Sequence, residues 1–264
     1  MKLDKLFALN DRVALVTGGS RGLGKAIAAG FIAQGAKVYI SSRKADACTA
    51  AARELGPMCI PLAYDISSVD GCASLARALA AREAKLDILV NNAGATWGAP
   101  MDAFPEHGWD KVMNLNLKSP FFLTQKLLSM LRAAGRPDRP AKVINIASVD
   151  GLRLSPWETY SYHASKSGLF HLTRRMAALL VRENINVTSI APGAFASDMN
   201  RAARDRGDQV AETIPARRIG KPEDIAAAAI FLAAASGDYV VGSNITVDGG
   251  LVDASFGQSL DGDE

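Results

Sequence analysis

Short apolar runs alternate with longer segments of helical periodicity along most of the chain. Seven runs are typical of buried strands, because they are aliphatic or β-branched on consecutive positions and end at turn-forming residues. They cover residues 12–17, 36–42, 58–63, 86–90, 142–147, 185–191 and 243–247. Helices are predicted between them over 23–34, 45–55, 69–85, 109–133 and 160–182. This alternation predicts an α/β fold with a doubly wound, parallel, seven-stranded sheet that carries helices on both faces.

Three segments interrupt the alternation. Residues 135–140 are a turn-rich insert, and residues 194–220 are a long polar stretch with no strand of its own. Long excursions of this kind are often lids or binding loops. The small and acidic residues 255–264 predict a frayed, disordered tail. Because no repeat or low-complexity linker divides the rest, residues 1–254 are expected to form one domain that includes the 194–220 loop.

Composition narrows the class of protein. Of the 264 residues, 48% are apolar and 22% charged, which is typical of a globular chain that needs no disulfides. The net charge of +3 is too small to indicate nucleic-acid binding. Cys48, Cys59 and Cys72 lack CxxC spacing, and with three histidines they form no metal-ligand pattern. No metal is therefore expected, and the odd number of cysteines favours a reducing compartment.

The sequence gives no sign of export or of a membrane span. Its first residues carry charges and no apolar core, so a signal peptide is not expected. The longest apolar run, 225–235, is about half as long as a membrane span. A cytoplasmic protein with neither membrane nor nucleic-acid partners is the prediction.

A glycine loop joins the first strand to the first helix. Gly18, Gly22 and Gly24 form the pattern GxxxGxG at this position. Glycine permits a positive φ and a close backbone approach, and the N-terminus of a helix attracts a pyrophosphate. In a doubly wound fold this place favours a dinucleotide site of the Rossmann type. The alternative is a glycine-rich turn without a ligand.

The end of the second strand distinguishes two cofactors. An acidic residue there hydrogen-bonds the ribose of NAD, whereas a basic residue accommodates the 2′-phosphate of NADP. Here the strand ends in Ser42 and Arg43 without a carboxylate, and Arg21 lies in the glycine loop. These residues favour NADPH or NADP⁺ as the cofactor.

Tyr162 and Lys166 stand four residues apart on a predicted helix, and therefore on the same face. Ser148 follows the fifth strand at the edge of the sheet where Rossmann-type sites lie. A neighbouring ammonium would lower the pKa of the tyrosine toward neutral pH, and the serine hydroxyl could hold a substrate oxygen. The trio suits the reduction of a ketone. The alternative is a helix tyrosine beside a solvated lysine.

Together these residues resemble the short-chain dehydrogenase/reductase family from about Arg12 to Gly250. The family motifs occur in order: TGGSRGLG at 17–24, NNAG at 91–94, an asparagine in NLNL, Ser148, YxxxK, PG at 192–193 and DGG at 248–250. The resemblance implies a catalytic tetrad of Asn116, Ser148, Tyr162 and Lys166. In it Asn116 anchors a water that links the lysine to solvent, and Lys166 also binds the nicotinamide ribose.

The resemblance also implies a set of cofactor contacts around the glycine loop and the strand ends. These are Gly18, Ser20, Arg21, Gly22, Leu23, Gly24, Ser42, Arg43, Asp65, Ile66, Asn92, Ala93, Gly94, Tyr162, Lys166, Pro192, Gly193, Phe195 and Ser197. Family membership further implies a homotetramer built from dimers through the two long helices, with a homodimer also possible. The broad apolar surface of those helices agrees with that assembly.

Within the family the chain looks most like bacterial 3-oxoacyl reductases, including the type associated with rhamnolipid synthesis. Reduction of a 3-oxoacyl thioester is therefore the expected reaction, while similar sequences act on sugars and steroids. Arg139 matches a cation that receives acyl carrier protein in fatty-acid reductases, but Glu183 stands at the second such position. Opposite charge there disfavours carrier docking and leaves acyl-CoA and free ketones open.

Two further expectations concern the substrate. Trp97, Leu152, Leu154 and Trp157 are expected to flank an apolar pocket, and the arginines of 194–220 to offer cations to a phosphate-bearing thioester. The same site run backwards would oxidise a sugar or another secondary alcohol. A noncatalytic NADP-binding sensor is the alternative from another class, although such proteins usually lack the tyrosine or the lysine.

Overall fold

A computed structural model describes residues 3–255 of the chain. Seven parallel strands form one sheet in the order β3-β2-β1-β4-β5-β6-β7. Their bounds are β1 Val13–Thr17, β2 Lys37–Ser42, β3 Cys59–Ala63, β4 Ile88–Asn91, β5 Ala141–Ile146, β6 Ile185–Pro192 and β7 Asn244–Val247. The predicted α/β Rossmann fold is therefore confirmed. The reversal of strand order beside β1 opens a crevice at the carboxyl ends of β1 and β4.

Helices cover both faces of the sheet. They are α1 Leu3–Phe7, α2 Gly22–Ala33, α3 Ala45–Leu55, α4 Val69–Ala80, α5 Glu106–Met113, α6 Ser119–Ala134, α7 Tyr160–Leu180, α8 Arg201–Asp205, α9 Gly207–Glu212 and α10 Pro222–Ala233. The helix predicted over 69–85 ends earlier, because Ala81 closes it and a turn follows. Short α1 was not predicted. None of the helices within 3–255 is both long and apolar enough to cross a membrane.

Alternate residues of each strand feed two apolar cores. Ala14 and Val16 face α2, α3 and α10, whereas Val13 and Leu15 face α4, α6 and α7. Strand side chains alternate between the two faces of a sheet, so a strand covered on both sides is apolar at every position. Because all seven strands are parallel, the chain leaves each of them at the same edge of the sheet.

The helix predicted over 109–133 is interrupted. Residues Asn114–Lys118 form a π-helical segment between α5 and α6. Pro120, at the start of α6, has no N–H for the carbonyl four residues earlier, that of Asn116. The extra residue in this turn accommodates the proline and is a common feature of functional sites. The prediction of a regular helix was wrong here, and Pro120 was the signal for it.

A chain of buried polar side chains connects the sheet to α6 and α7. Nδ2 of Asn91 donates to Oδ1 of Asn145 at 2.9 Å, and Nδ2 of Asn145 donates to Oγ1 of Thr173 at 2.9 Å. Nδ2 of Asn91 also reaches Oγ1 of Thr124 at 3.3 Å. Because buried amides are costly unless paired, this chain fixes the register of both helices on the sheet.

One buried cation lies at the opposite, amino-terminal edge of the sheet. The side chain of Lys142 is only 2% exposed, and its Nζ lies 2.7 Å from Oδ1 of Asp238. The contact has the distance of an ion pair but not the angles of a hydrogen bond. Burial, partly offset by Asp238, lowers the pKa of Lys142. The ammonium of Lys142 is therefore neutralised by the carboxylate of Asp238.

The two predicted insertions are loops. Arg136 and Arg139 form an isolated bridge that closes the 135–140 turn. Residues 194–220 contain no strand but do contain α8 and α9, and their base is closed where Gly220 N–H donates to the carbonyl of Ala194 at 2.8 Å. Apart from Ser255, the tail predicted over 255–264 lies outside the described residues.

Candidate active site

The glycine loop lies where β1 ends and α2 begins. Gly18 and Gly22 adopt positive φ values of 66° and 53°, which glycine tolerates at low cost. Gly24 is placed so closely that a Cβ atom would lie 2.4 Å from the carbonyl oxygen of Gly18. Arg21, the N-cap residue, makes no side-chain cap, and the first turn of α2 holds no acidic residue. The first amides of α2 therefore suit an anion.

Thr17 and Asn92 hold this loop against β4. Nδ2 of Asn92 donates to the carbonyl of Thr17 at 2.8 Å. Oγ1 of Thr17 accepts the N–H groups of Asn92 and Ala93 at 2.9 and 3.0 Å. The Asn92 side chain thus positions the loop, and Gly94 continues from it toward Lys166. The sequence motif includes Thr17 but does not reveal that its hydroxyl holds the glycine loop against β4.

The end of β2 carries no carboxylate. Oγ of Ser42 donates to the carbonyl of Lys44, and Arg43 is exposed. Arg21 is also exposed, but its guanidinium pairs with Asp198 of the 194–220 segment. Asp198 pairs as well with Nη1 of Arg204 at 2.9 Å. Two arginines therefore share one carboxylate beside the glycine loop.

The remaining predicted cofactor residues lie at the ends of β3 and β6. Asp65 is exposed and its Oδ1 accepts Ser67 N–H at 2.9 Å, while Ile66 is buried. Pro192 ends β6, and Gly193 N–H donates to the carbonyl of Val247 at 2.9 Å.

Beyond Gly193 the chain turns back over the glycine loop. Phe195 is buried against Gly220, and Ser197 accepts Asn200 N–H at 3.0 Å. Ser197 also lies near the glycine loop: a Cβ added to Gly22 would be 3.9 Å from the Cβ of Ser197. Ser20 and Leu23 are partly exposed in the same loop. All these residues line one edge of the sheet.

Ser148, Tyr162 and Lys166 meet at that same edge. Ser148 follows β5 and is nearly buried, and its hydroxyl accepts Asp150 N–H at 3.2 Å. Tyr162 lies in the first turn of α7 and shares a side-chain hydrogen bond with Ser148. Nζ of Lys166 lies 5.6 Å from the centroid of the Tyr162 ring and donates to the carbonyl of Ile146 at 2.8 Å. The structure thus brings the predicted trio together.

Asn116 completes this group from the π-helical segment. Its Nδ2 donates to the carbonyl of Ala95 at 2.9 Å and to Oγ of Ser165 at 3.1 Å. Its Oδ1 accepts Ala95 N–H at 2.8 Å. All these contacts hold the chain after β4 against α7. The π-helical turn is what brings this asparagine to the site.

Burial dominates the electrostatics of the trio. It raises the pKa of Tyr162 to about 12; the hydrogen bond from Ser148 opposes this and the charge of Asp150 adds to it. Burial also lowers the pKa of Lys166 to about 8. The expectation that the ammonium lowers the pKa of Tyr162 is therefore wrong for this structure. Nζ of Lys166 lies over the face of the Tyr162 ring and donates to the carbonyl of Ile146, so burial dominates the pKa of Tyr162.

Known proteins are similar to this chain over nearly its whole length. A family model described as enoyl-(acyl carrier protein) reductase matches residues 18–252. The chain belongs to the short-chain dehydrogenase/reductase family. It is 47% identical over 250 residues to a rhamnolipids biosynthesis 3-oxoacyl-[acyl-carrier-protein] reductase of Pseudomonas aeruginosa, covering 93% of this chain and 98% of that protein. It is also 38% identical over 252 residues to a 2-dehydro-3-deoxy-D-gluconate 5-dehydrogenase of Dickeya dadantii, covering 92% and 96%.

A comparison with solved structures agrees with this family assignment. The Pseudomonas aeruginosa RhlG/NADP active-site complex superposes with a TM-score of 0.90 at 45% identity, covering 94% of this chain and 98% of that one. The family resemblance predicted from the motifs is confirmed, and the chain is an oxidoreductase of this family.

In this short-chain dehydrogenase/reductase the segment between Ser148 and Tyr162 contains polar residues that the motifs did not predict. Asp150 is partly buried, and the desolvation of its carboxyl raises its pKa against the opposing charges of His163 and Arg153. Nδ1 of His163 lies 3.0 Å from the carbonyl of Thr159, and Nε2 lies 3.2 Å from Oγ of Ser155.

The apolar residues expected around the pocket divide into two groups. Leu152, Leu154 and Trp157 are 44%, 89% and 63% exposed and follow Ser148 along the chain. Trp97 instead packs on α5, with its ring centroid 4.9 Å from that of His107 and a Cβ on Gly108 excluded by its ring. Gly108 leaves space for the indole on the helix, and a place for Trp97 in a substrate pocket stays a prediction.

A separate apolar cavity of about 540 Å³ lies between the start of α5 and the start of α7. It is lined by Met101, Phe104, Pro105, Glu106, Trp109 and Tyr160. Phe104 makes edge-to-face contacts with Trp109 and Tyr160, with centroids 6.4 and 5.6 Å apart. The cavity therefore has rigid aromatic walls.

The arginines of 194–220 are mostly engaged within the chain. Arg204 pairs with Asp198 and Asp205, Arg218 pairs with Asp224, and Nη1 of Arg217 donates to the carbonyl of Glu212. Phe195 and Ile214, expected on the apolar side of a lid, are buried in the protein, whereas Met199 is exposed. The segment offers fewer cations than its composition suggests.

The two positions expected to bear on carrier docking lie far from Ser148 within one chain. Nη2 of Arg139 donates to the carbonyl of Asn10 at 3.0 Å, at the end of β5 opposite Ser148. Glu183 pairs with Arg132, and this contact lowers the pKa of Glu183. The charge of Glu183 is thus compensated by its neighbour.

Proposed function

We propose that this protein is an NADPH-dependent carbonyl reductase whose substrate is a 3-oxoacyl thioester or a similar hydrophobic ketone. The observation that carries the proposal is the meeting of Ser148, Tyr162 and Lys166 beside an uncapped helix N-terminus. The similarity to a 3-oxoacyl reductase over nearly the whole chain supports the substrate class.

The chain offers a suitable place for NADPH. The amides at the start of α2 lack a side-chain cap and suit the pyrophosphate, and Gly22 leaves its surface open. Arg21 and Arg43 are exposed cations within reach of a 2′-phosphate, and Ser42 offers no carboxylate to a ribose. The predicted contacts from Gly18 to Gly24, from Asp65 to Ile66, from Asn92 to Gly94 and from Pro192 to Ser197 surround this place. When bound, NADPH supplies a hydride.

The tetrad residues have distinct proposed roles. Ser148 and Tyr162 bind the ketone oxygen by hydrogen bonds, and the phenol gives that oxygen its proton as the carbonyl carbon is reduced. Lys166 binds the nicotinamide ribose and stabilises the phenolate that remains. Asn116 holds the backbone of Ala95 in place. It also anchors the water through which Lys166 exchanges protons with solvent.

Activity measurements on a small panel test the substrate. We expect kcat/KM with NADPH to be higher for acetoacetyl-CoA and a longer 3-oxoacyl thioester than for a keto-sugar at one ionic strength. Tyr162→Phe should lower kcat by at least about a hundredfold while NADPH still binds, because only the proton donor is lost. A keto-sugar reduced faster than every thioester would overturn the assignment, as would a Tyr162→Phe variant with more than about a tenth of normal kcat.

Oxidation or reduction of a sugar is the second candidate. Asp150 is a partly buried carboxylate two residues after Ser148, and its oxygens can accept hydrogen bonds from sugar hydroxyls. The similarity to a sugar-acid dehydrogenase supports it. Asp150→Asn would lower kcat/KM for a keto-sugar but not for a thioester if this candidate were right.

We infer that residues 1–254 act as one cytoplasmic domain and assemble as a homotetramer. Trp109, Phe121 and Leu179 are 41%, 39% and 54% exposed on α5, α6 and α7. Exposed apolar side chains on neighbouring helices are typical of a surface that another subunit covers. The three free, buried cysteines suit a reducing compartment. Light scattering should give four times the chain mass of 27.8 kDa, and Phe121→Glu should reduce it.

A further inference from the structure

The segment 152–159 is held to α7 at both of its ends and near its middle. At the start, Oγ of Ser167 donates to the carbonyl of Gly151 at 2.9 Å, and a Cβ on Gly151 would lie 2.7 Å from the backbone of Lys166. At the far end, the segment runs directly into the first turn of α7. The segment therefore spans the space between Ser148 and Tyr162.

His163 makes the other contacts, and their donors can be assigned. Ser155 N–H can only donate to Nε2 and the carbonyl of Thr159 can only accept, so Nδ1 of His163 carries the proton and donates to that carbonyl at 3.0 Å, with Thr159 Oγ1 also 3.2 Å away. Nε2 is then an acceptor, and it faces Ser155 N–H at 3.4 Å and Ser155 Oγ at 3.2 Å. One imidazole thus connects the middle of the segment to its end.

Charged groups reinforce this position. The carboxylate of Asp150 faces His163 and Arg153 and hydrogen-bonds Ser155. Nη1 of Arg153 reaches the carbonyl of Leu251 at 3.5 Å, at the limit of hydrogen bonding. The polar side of the segment is therefore turned toward α7 and the end of the chain.

Its apolar side is turned to solvent. Leu154 and Trp157, which flank Ser155, are 89% and 63% exposed, although large apolar side chains are usually covered. They lie on a segment that begins beside Ser148 and ends beside Tyr162. Their exposure leaves both side chains free to contact the chain of a substrate whose ketone oxygen reaches these two hydroxyls.

We propose that His163 is a positioning residue that sets the preference for long hydrophobic ketones by fixing Leu154 and Trp157 as a wall for the substrate chain. The proposal rests on the proposed function, since it concerns the chain of the same ketone. It assigns to the residue after Tyr162 a task that is separate from proton donation.

Kinetics with a short and a long substrate test the proposal. His163→Ala should raise KM for a long 3-oxoacyl thioester roughly tenfold, since the hydrogen bonds that join His163 to Thr159 and Ser155 are lost. Its KM for acetoacetyl-CoA should change less than about threefold, and kcat should change little for either substrate. His171→Ala, an exposed histidine on the same helix, is the matched control and should alter neither constant. An equal loss of kcat on both substrates would instead indicate simple support of Tyr162 and would overturn the proposal.

Two further variants separate a fixed wall from general damage. His163→Gln places an amide oxygen where Nε2 accepts from Ser155, and should restore part of the long-chain KM. Trp157→Ala should raise the same KM, and the double variant His163→Ala/Trp157→Ala should be little worse than either single variant, because both act through one segment. Fully additive effects would contradict the proposed coupling.

Amide hydrogen exchange gives a readout that does not depend on activity. His163→Ala should speed exchange at Ser155 about tenfold or more relative to His171→Ala, since that N–H loses its acceptor. Faster exchange with an unchanged ratio of long-chain to short-chain KM would refute the specificity role. If the unmodified protein reduced no thioester, the proposed substrate would fail, and a small and a large cyclic ketone would then serve for the same comparison.

Discussion

A tyrosine acts as an acid only while it holds its proton, and the surroundings of Tyr162 favour the protonated form. Burial raises the pKa of Tyr162 to about 12, whereas it lowers the pKa of Lys166 to about 8. The lysine therefore loses its proton long before the tyrosine does as pH rises. This order suits a site that donates a proton to a ketone.

The pH dependence of ketone reduction should follow Lys166. A lysine is charged below its pKa, so kcat at saturating NADPH should hold through neutral pH and fall above a pH of about 8. Lys166→Arg keeps a positive charge to much higher pH and, where it retains activity, should lose this alkaline decline. The measurement is a pH–kcat profile of both proteins. The same decline in the arginine variant would assign it to another group.

The choice of cofactor should depend on Arg43. Arg43→Asp replaces a cation with a carboxylate, which repels a 2′-phosphate and accepts hydrogen bonds from a ribose. The ratio of kcat/KM for NADPH to that for NADH should fall about a hundredfold or invert. Arg53→Asp, with the same change of charge on the exposed side of α3, should leave the ratio unchanged. Equal use of both cofactors by the unmodified protein would count against NADPH preference itself.

At the scale of elements, the strands and most helices could be predicted, because each needs a continuous apolar face. The π-helical turn at Asn114–Lys118 could not, since apolar periodicity does not distinguish one extra residue within a turn. Pro120 carried the only local signal. The partners of Lys142 were equally hidden, because a lysine in a strand reveals neither its burial nor the distant residue that neutralises it.

The pairing of β5 with the turn after α10 should contribute to stability through Lys142 and Asp238. Asp238→Asn leaves a buried ammonium without its counter-charge and should lower the free energy of unfolding by about 2–3 kcal/mol, a value reduced for the partial exposure of the carboxylate. Lys142→Met in the same background should recover most of the loss, because it removes the buried ammonium that has lost its counter-charge. Urea unfolding of the unmodified protein, of Asp238→Asn and of the double variant measures this. A double variant no more stable than Asp238→Asn would show that packing, not charge, dominates.

At the scale of the molecule, the edge of the sheet that carries the site was predictable and the contacts across it were not. Parallel strands direct their carboxyl ends to one side, so Gly18, Ser148 and Gly193 had to converge there. Contacts such as Arg21 with Asp198 join residues 177 positions apart, and His163 with Ser155 depends on the path of a loop. Such pairs depend on side-chain placement in three dimensions, which periodicity does not encode.

The ion pair between Arg21 and Asp198 should make the protein's affinity for NADPH depend on its own 194–220 segment. Asp198 pairs with Arg21, one of the two cations suited to the 2′-phosphate. Asp198→Asn should therefore tighten NADPH binding several-fold at low salt. Asp208→Asn, an exposed carboxylate of α9, is the control. The difference should shrink in about 0.5 M salt, where exposed charges are screened. Weaker NADPH binding by Asp198→Asn would mean that the carboxylate holds Arg21 in place for the cofactor.

Asp198 is therefore expected to compete with the cofactor phosphate for Arg21. Because Arg204 also pairs with Asp198, the carboxylate keeps a partner when Arg21 turns to the phosphate. Cofactor loading and release of the segment from the glycine loop then become a single exchange reaction, with the number of ion pairs unchanged. Such an exchange is expected to cost little energy in either direction, and it would make the contacts of the segment that follows Gly193 depend on the bound cofactor.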